Sequence, residues 1–174
     1  ILEMQIMDRG NYAHGNQPIQ HMIYLYNWTP EPWKAQKWTR DVMDHFDTPT
    51  PDGYCGDEDN GQTSAWYVFS AMGFYPVCPG TLQYPLGSPL LDELKINFPN
   101  GKQALITKQG DGCYIDNLTV NGTDYGKNYI TLPMLRDGGK LEFLMSETPN
   151  TQRGIHASDR PYSFSIDEPS VAAR

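Results

Sequence analysis

The sequence changes character once, across Pro76-Val77-Cys78-Pro79-Gly80-Thr81-Leu82-Gln83-Tyr84-Pro85-Leu86-Gly87-Ser88-Pro89. Proline removes a backbone donor and glycine loosens the chain, so this stretch interrupts regular structure. Apolar residues recur at helical spacing before it, and short apolar runs typical of strands follow it. Because helices and strands fall in separate halves and do not alternate, we predict an α+β chain or two separate subdomains.

The first half has the pattern of three helices. Pro32 suits a first helical turn, and Gly73 suits the position after a last one. We predict helices at residues 20–28, from Pro32 to a stop at Thr48-Pro49, and at residues 63–72.

The second half has the pattern of an antiparallel sheet, which we expect to be sandwich-like. Turns that contain glycine separate its apolar runs, and Asn121-Gly122 is a typical hairpin turn. The predicted strands are Leu94 to Phe98, Ala104 to Thr107, Tyr114 to Val120, Tyr129 to Leu132 and Leu141 to Met145.

Charge and composition narrow the classes of function. The 174 residues carry a net charge of -8 at pH 7, so a nucleic acid or an anionic membrane surface would be repelled. No apolar run approaches the roughly 20 residues that span a bilayer. The chain opens inside an apolar pattern and without methionine, at Ile1-Leu2-Glu3-Met4-Gln5-Ile6-Met7, which indicates that it was cut from a longer protein.

Three consecutive acids are the strongest functional signal, in Gly56-Asp57-Glu58-Asp59-Asn60-Gly61-Gln62. Adjacent anions repel, so such a cluster usually serves solvation, metal binding or catalysis. Glycines at both ends allow the acids to share a small space, and the predicted helix that follows fixes their direction.

Two structural explanations compete with a catalytic one. An EF-hand begins with the same Asp-x-Asp pattern, but its fifth, sixth and twelfth positions here hold Gly61, Gln62 and Val68, which do not fit. Acids also favour a helix N-terminus, yet that explains one carboxylate more easily than three.

A second polar stretch, His14-Gly15-Asn16-Gln17-Pro18-Ile19-Gln20-His21, precedes an aromatic segment. Amides and carboxylates bind sugar hydroxyls, and pyranose faces stack on aromatic rings. Each of the nearby tryptophans, Trp28, Trp33 and Trp38, taken alone fits a helix core better than a sugar platform. Together with the acids, this stretch indicates a carbohydrate site.

These motifs continue over nearly the whole chain. They are Gly15-Asn16-Gln17-Pro18-Ile19-Gln20-His21, Tyr24-Leu25-Tyr26-Asn27, Pro32-Trp33-Lys34, Pro51-Asp52-Gly53, the acid cluster, Gly61-Gln62 with Ser64-Ala65-Trp66-Tyr67-Val68-Phe69-Ser70-Ala71-Met72-Gly73-Phe74-Tyr75-Pro76, Gly87-Ser88-Pro89, and the late Met145, Pro149-Asn150 and Asp159-Arg160-Pro161. The set resembles the calcium-dependent exo-acting α-mannosidases of glycoside hydrolase family 92.

The resemblance implies a fold and a domain division. Residues 1–78 would be the last helices of an (α/α)6 catalytic barrel with its catalytic loop, and residues 79–174 an antiparallel β-sandwich-like domain. It also implies a secreted or periplasmic enzyme that hydrolyses α-mannoside glycans with inversion, aided by calcium.

Carried over by position, the resemblance assigns roles to single residues. Asp59 would be the general base and Asp57 an acid that assists it or holds the water. The resemblance further implies substrate-binding residues Asn16, Gln17, His21 and Glu58, and calcium ligands Gln17, Asn16 and Asp159. The general acid that inversion needs would lie N-terminal to this chain, in the remaining part of the same enzyme.

The chain departs from the family pattern at three places. Gln17 stands where the family usually has Glu, and Ile19 and Gln20 replace Ser and His. A lost carboxylate at Gln17 removes a charge from the metal site or the leaving-group pocket. We therefore expect these departures to bear on metal affinity or on the linkage that is cleaved.

Two further expectations concern the chain alone. Without the acid and the rest of the barrel it should be inactive, and exposed apolar helix faces should favour self-association. The alternative function is a carbohydrate-binding β-sandwich module with a structural calcium loop. In that case Tyr114, Tyr125 and Tyr129 would form the stacking platform.

Overall fold

The computed structural model describes residues 10–167. Residues 1–9 and 168–174, which include the apolar opening and both outer ends of the predicted domains, lie outside the described residues. None of the helices between residues 10 and 167 is long and apolar enough to cross a bilayer.

The helical half agrees with the prediction in position and differs once in type. Residues Met22–Trp28 form a 3₁₀-helix where an α-helix was expected. Helix α1 spans Trp33–Phe46 with Pro32 at its N-cap, and helix α2 spans Gln62–Met72. Gly73 ends helix α2 with a φ of 99°, as the pattern predicted.

The strands form a five-stranded sheet and a two-stranded sheet. The strands are β1 Gln83–Pro85, β2 Glu93–Asn97, β3 Gln103–Gln109, β4 Tyr114–Val120, β5 Thr123–Asp124, β6 Tyr129–Thr131 and β7 Lys140–Ser146. The larger sheet has the order β2-β3-β7-β4-β5, and β1 pairs with β6.

The expectation of a purely antiparallel sheet is wrong for one pair of strands. Strand β7 runs parallel to β3, while it runs antiparallel to β4 on its other side. A parallel pair needs a long connection. Here that connection contains β4, β5, β6 and the short helix α3, Leu132–Arg136. Strand β7 therefore lies between β3 and β4, which both precede it in the chain.

Helix α2 joins the two halves of the molecule. One buried cluster, which includes Trp66 and Tyr24, lies between the helices, and a second, which includes Phe74 and Phe143, lies against the sheet. Phe69 of helix α2 contacts both clusters. The helical segments and the strands therefore share a continuous apolar interior.

Buried amides also connect the halves. The Gln36 Oε1 atom of helix α1 accepts the Ile115 N–H of β4 at 2.8 Å. Asn27 donates its Nδ2 to the Leu86 carbonyl at 2.9 Å, and Asn128 donates its Nδ2 to the Asn27 carbonyl at 3.3 Å. These bonds satisfy backbone groups that water does not reach. They therefore fix the positions of the helices relative to the strands.

Candidate active site

The acid cluster lies in a loop with an unusual backbone. Asp59, Asn60 and Gly61 are all left-handed, with φ of 53°, 56° and 99°. Glycine adopts this region freely, but the two non-glycine residues are in a sparsely populated conformation that costs of order 1–3 kcal/mol each. Such strain is typical of functional loops, where the surrounding structure maintains it.

Glu58 supplies part of that support. Its carboxylate accepts the Gly61 N–H, and its Oε1 atom accepts the Ser64 N–H at 3.0 Å. Hydrogen bonds from the Ser64 side chain and backbone hold the pKa of Glu58 below its usual value. The middle acid therefore caps helix α2, whose first turn has unpaired donors.

Asp57 and Asp59, on either side of Glu58, expose their side chains to solvent. The Asp57 carbonyl accepts the Thr63 hydroxyl at 3.0 Å, which fixes the start of the loop to helix α2. The two expected catalytic acids thus have fixed backbones and accessible carboxylates.

Two glycines bring the polar stretch of residues 14–21 against the acid loop. A Cβ on Gly56 would lie 2.5 Å from the Gly15 carbonyl oxygen, and a Cβ on Gly15 would lie 2.8 Å from the Cys55 carbonyl oxygen. The two backbones are therefore in direct contact, and neither position has room for a side chain. Asn16 and Asp57, the residues that follow these glycines, are thereby brought to the same region.

Gln20 connects the same two loops through buried hydrogen bonds. Its side chain is almost fully buried, and its Nε2 atom donates to the His14 carbonyl at 3.1 Å and to the Thr63 hydroxyl oxygen at 3.2 Å. The backbone carbonyl of Gln20 accepts the Trp66 indole N–H at 3.0 Å. Since Thr63 also bonds to Asp57, a continuous hydrogen-bond path links the two polar stretches.

A buried imidazole and a buried carboxyl lie beneath this junction. The His14 Nε2 atom is 3.8 Å from Asp47 Oδ2, and the Tyr12 hydroxyl lies 2.8 Å from His14 Nδ1. Burial lowers the pKa of His14 to about 4 and raises the pKa of Asp47 to about 7. Both shifts favour the neutral forms, so we describe the pair as neutral rather than as a salt bridge.

The remaining predicted residues fall into two places. Asn16 and Gln17 are exposed at the start of a short 3₁₀-helix, and His21 follows it partly buried. Asp159 is elsewhere: its carboxylate accepts the His156 N–H at 3.3 Å, and its carbonyl accepts the Asn128 N–H at 2.7 Å. No contact among the described residues brings it to Asn16 or Gln17.

The donors for a calcium ion are therefore incomplete. Exposed amide oxygens of Asn16 and Gln17 suit a hard cation, whereas the Asp159 carboxylate is used within its own turn. Among residues 10–167, no group of three or more His, Cys, Asp or Glu side chains is arranged to hold a metal.

The sequence interpretation missed the supporting roles of Gln20, Thr63 and Asp47. Gln20 lies in the predicted polar stretch, but its bonds to the second loop could not be read from the sequence, and neither Thr63 nor Asp47 belongs to a polar motif. The one signal that could have indicated the contact is a glycine at the start of each stretch, Gly15 and Gly56.

The tyrosines of the alternative function are only partly exposed. Tyr114, Tyr125 and Tyr129 are all partly buried. Burial also raises the pKa of the Tyr125 hydroxyl well above its usual range.

Comparison with known proteins places this site in a family. The model of the glycosyl hydrolase family 92 catalytic domain matches residues 2–147, on both sides of the expected domain boundary. A curated relative, an uncharacterized secreted glycosidase of the fungus Arthroderma benhamiae, is 27% identical over 156 residues, which are 86% of this chain and 20% of that protein.

Solved structures agree with the match. The family GH92 α-mannosidase BT3965 of Bacteroides thetaiotaomicron, in complex with mannoimidazole, is 44% identical with a TM-score of 0.86, over 89% of this chain and 21% of that one. The family GH92 inverting mannosidase BT2199 of the same species is 49% identical with a TM-score of 0.84, over 93% and 22%. This chain thus spans about a fifth of the length of these relatives, and it belongs to glycoside hydrolase family 92.

Proposed function

We propose that the complete protein is an inverting exo-α-mannosidase and that this chain carries its general base and part of its sugar site. The observation that carries the proposal is the contact of Gly15 with Gly56, which joins an amide-rich loop to the acid loop in a member of family 92. The relative BT2199, 49% identical, is named an inverting mannosidase.

In the proposed reaction Asp59 accepts a proton from water while the water oxygen attacks the anomeric carbon. Asp57 holds that water or assists the base. The leaving-group oxygen takes its proton from a general acid whose carboxyl group lies about 6.5–9.5 Å from that of the base and is supplied by the part of the protein outside this chain. The chain alone would therefore be inactive.

We further propose that calcium binds next to Asn16 and Gln17. Their amide oxygens are exposed, and the nearby acid loop adds negative charge, but further ligands must come from the rest of the protein. Bound calcium would help to distort the mannose ring. Gln17 and His21 would contact the sugar or the leaving group, so Gln17 in place of glutamate should affect linkage preference.

The location of the protein is also a proposal. We propose that it is secreted or periplasmic, in line with the curated fungal relative, which is described as a secreted glycosidase. Its substrate class would be α-mannoside glycans.

The test is release of mannose from α-linked mannobioses by the complete protein, with and without a calcium chelator, beside this chain alone. We expect calcium-dependent release by the complete protein only. Asp59→Asn should lower kcat about 10²–10⁴-fold, as expected for loss of a general base. Asp52→Asn, an exposed acid in the preceding turn, is the matched control and should have little effect.

Near wild-type turnover of Asp59→Asn would refute the assignment of the base. Binding of mannose without release on any linkage would instead favour the carbohydrate-binding function.

A further inference from the structure

The three acids of the cluster are equivalent in the sequence but not in the structure. The Asp57 and Asp59 side chains are exposed, whereas the Glu58 carboxylate points into the first turn of helix α2 and accepts the Gly61 and Ser64 N–H groups. We infer that Glu58 is a positioning residue that fixes the proposed base Asp59, and that it does not contact the sugar. The inference rests on the proposed function of Asp59.

Glu58 is bound to helix α2 through both its side chain and its backbone. Besides the two carboxylate bonds, its carbonyl accepts the Thr63 N–H at 3.2 Å. Its neighbour Asp57 is held by the Thr63 hydroxyl. The loop is thus attached to the helix immediately before Asp59 and again immediately after Asn60.

Between those attachments lie the two left-handed non-glycine residues. Asp59 has a φ of 53°, and its turn is held by the bond from the Gly61 N–H to the Glu58 carboxylate and by the bond from the Gln62 N–H to the Asp59 carbonyl. Loss of the Glu58 carboxylate would remove the first of these bonds and favour rotation of Asp59 toward an ordinary negative φ. Such a rotation would redirect the Asp59 carboxylate. A displacement of about 1 Å of a reacting group can cost about 10²-fold in rate.

Ser64 extends the support to the neighbouring loop. Its hydroxyl lies 2.6 Å from the Tyr54 hydroxyl, and its backbone N–H donates to Glu58. Hydrogen bonds from Ser64 keep the pKa of Glu58 below its usual value, so the anchoring carboxylate is charged in neutral solution. The Gly61 N–H, the Ser64 N–H and the Ser64 hydroxyl together use most of the roughly four acceptor positions of the Glu58 carboxylate, which leaves about one for a sugar hydroxyl.

The two roles of Glu58 predict different kinetics. Loss of a positioning residue lowers kcat and leaves KM nearly unchanged, whereas loss of a sugar contact raises KM. In the complete protein we expect Glu58→Ala to lower kcat about 10–100-fold with KM within about threefold of wild type. The kcat of Glu58→Gln should fall between those of the wild type and Glu58→Ala. The Gly61 and Ser64 N–H groups bind different carboxylate oxygens, and the amide keeps an oxygen at only one of these two positions.

A second readout does not depend on activity. Peptide-resolved hydrogen exchange should show faster exchange over residues 57–66 in Glu58→Ala, while residues 33–46 of helix α1 exchange as in the wild type. Glu147→Ala, which removes an exposed carboxylate from the β part, is the control and should change neither kinetics nor exchange.

Two results would overturn the inference. One is a raised KM with unchanged kcat in Glu58→Ala, which would make Glu58 a sugar contact. The other is unchanged exchange over residues 57–66. If the complete wild-type protein released no mannose, the proposed function would fail, and the exchange experiment would still decide the role of Glu58.

Discussion

At the scale of single residues, His14 and Asp47 form an unusual buried pair. Both side chains are at least nine-tenths buried and 3.8 Å apart. In the folded chain between about pH 4 and 6.5, Asp47 holds a proton and His14 does not. In the unfolded chain the proton is on the histidine instead, since the usual pKa values are 3.8 and 6.5. The pair binds one proton in either state, so it adds no pH dependence to stability in that range.

Removal of one member of the pair should make the stability of the chain depend on pH, because the shifted pKa of the other member is then no longer offset. In Asp47→Asn, only His14 remains, and its pKa is lower in the folded state. The free energy of unfolding should then fall as the pH drops from about 6.5 to 4, by up to about 1 kcal/mol per pH unit relative to wild type. In His14→Gln, only the raised pKa of Asp47 remains, and stability should fall as the pH rises from about 4 to 7.

Urea unfolding of the 174-residue chain at several pH values measures both slopes. Asp44→Asn removes an exposed carboxylate from the last turn of helix α1, just before Asp47, and serves as the control. Parallel pH profiles for all the variants would contradict the neutral-pair description.

The sequence interpretation identified the two polar stretches that the structure brings into contact, but not the orientation of each acid. The two polar stretches could be identified because their residue types are unusual for a turn. Asp57, Glu58 and Asp59 are alike in sequence, however, and only the dihedral angles of residues 59–61 decide which carboxylate points inward. Gln20 was assigned no supporting role because its partners, His14 and Thr63, become neighbours only after folding.

At the scale of elements, helix α2 was the most predictable. Its apolar residues are contiguous, and its C-terminus has a glycine in the left-handed conformation that this position requires. The Phe74 N–H donates to the Phe69 carbonyl and the Gly73 N–H to the Ser70 carbonyl, as in a Schellman motif. The loop from the helix to the sheet therefore starts in a defined direction.

Gly73→Ala should destabilise the chain through this motif. A left-handed alanine costs roughly 1–2 kcal/mol, and its Cβ would lie 2.9 Å from Pro89 Cβ. We expect the free energy of unfolding to fall by at least about 1–2 kcal/mol in a urea titration. Gly80→Ala, whose Cβ would meet nothing within 4 Å, should stay within about 0.5 kcal/mol. Equal effects would show that the helix terminus is not the cause.

Other elements were less predictable for identifiable reasons. Residues 22–28 form a 3₁₀-helix, and apolar periodicity over seven residues does not distinguish this from an α-helix. Strands β1 and β5 are three and two residues long, too short for alternation. The parallel pairing of β3 and β7 depends on the path of the chain, which no local pattern contains.

At the scale of the whole molecule, the fold of residues 10–167 has an exposed apolar surface. Met22 and Leu25 are 43% and 42% exposed, beside a cavity of about 320 Å³ lined by Tyr12, Ile23 and Val42. We propose that the N-terminal part of the complete protein covers this surface. In its absence the surface should promote self-association.

Leu25→Glu should therefore reduce self-association of the isolated chain. A charge there opposes burial of the apolar surface in a second copy. Analytical ultracentrifugation over a range of concentrations should show association of the wild type and a shift of Leu25→Glu toward monomer. Leu91→Glu, at an equally exposed leucine near the sheet, should associate like the wild type. A monomeric wild type at all concentrations would contradict the prediction.

The contact between Gly15 and Gly56 also has a consequence for directed evolution. A library that aims to change linkage preference would naturally randomise the residues around Asn16 and Gln17. Any side chain introduced at Gly15 or Gly56 would separate the two loops, since its Cβ would meet backbone atoms that cannot move aside. Clones with changes there would be lost for reasons unrelated to the sugar. A productive library would keep both glycines and vary only the exposed positions beside them.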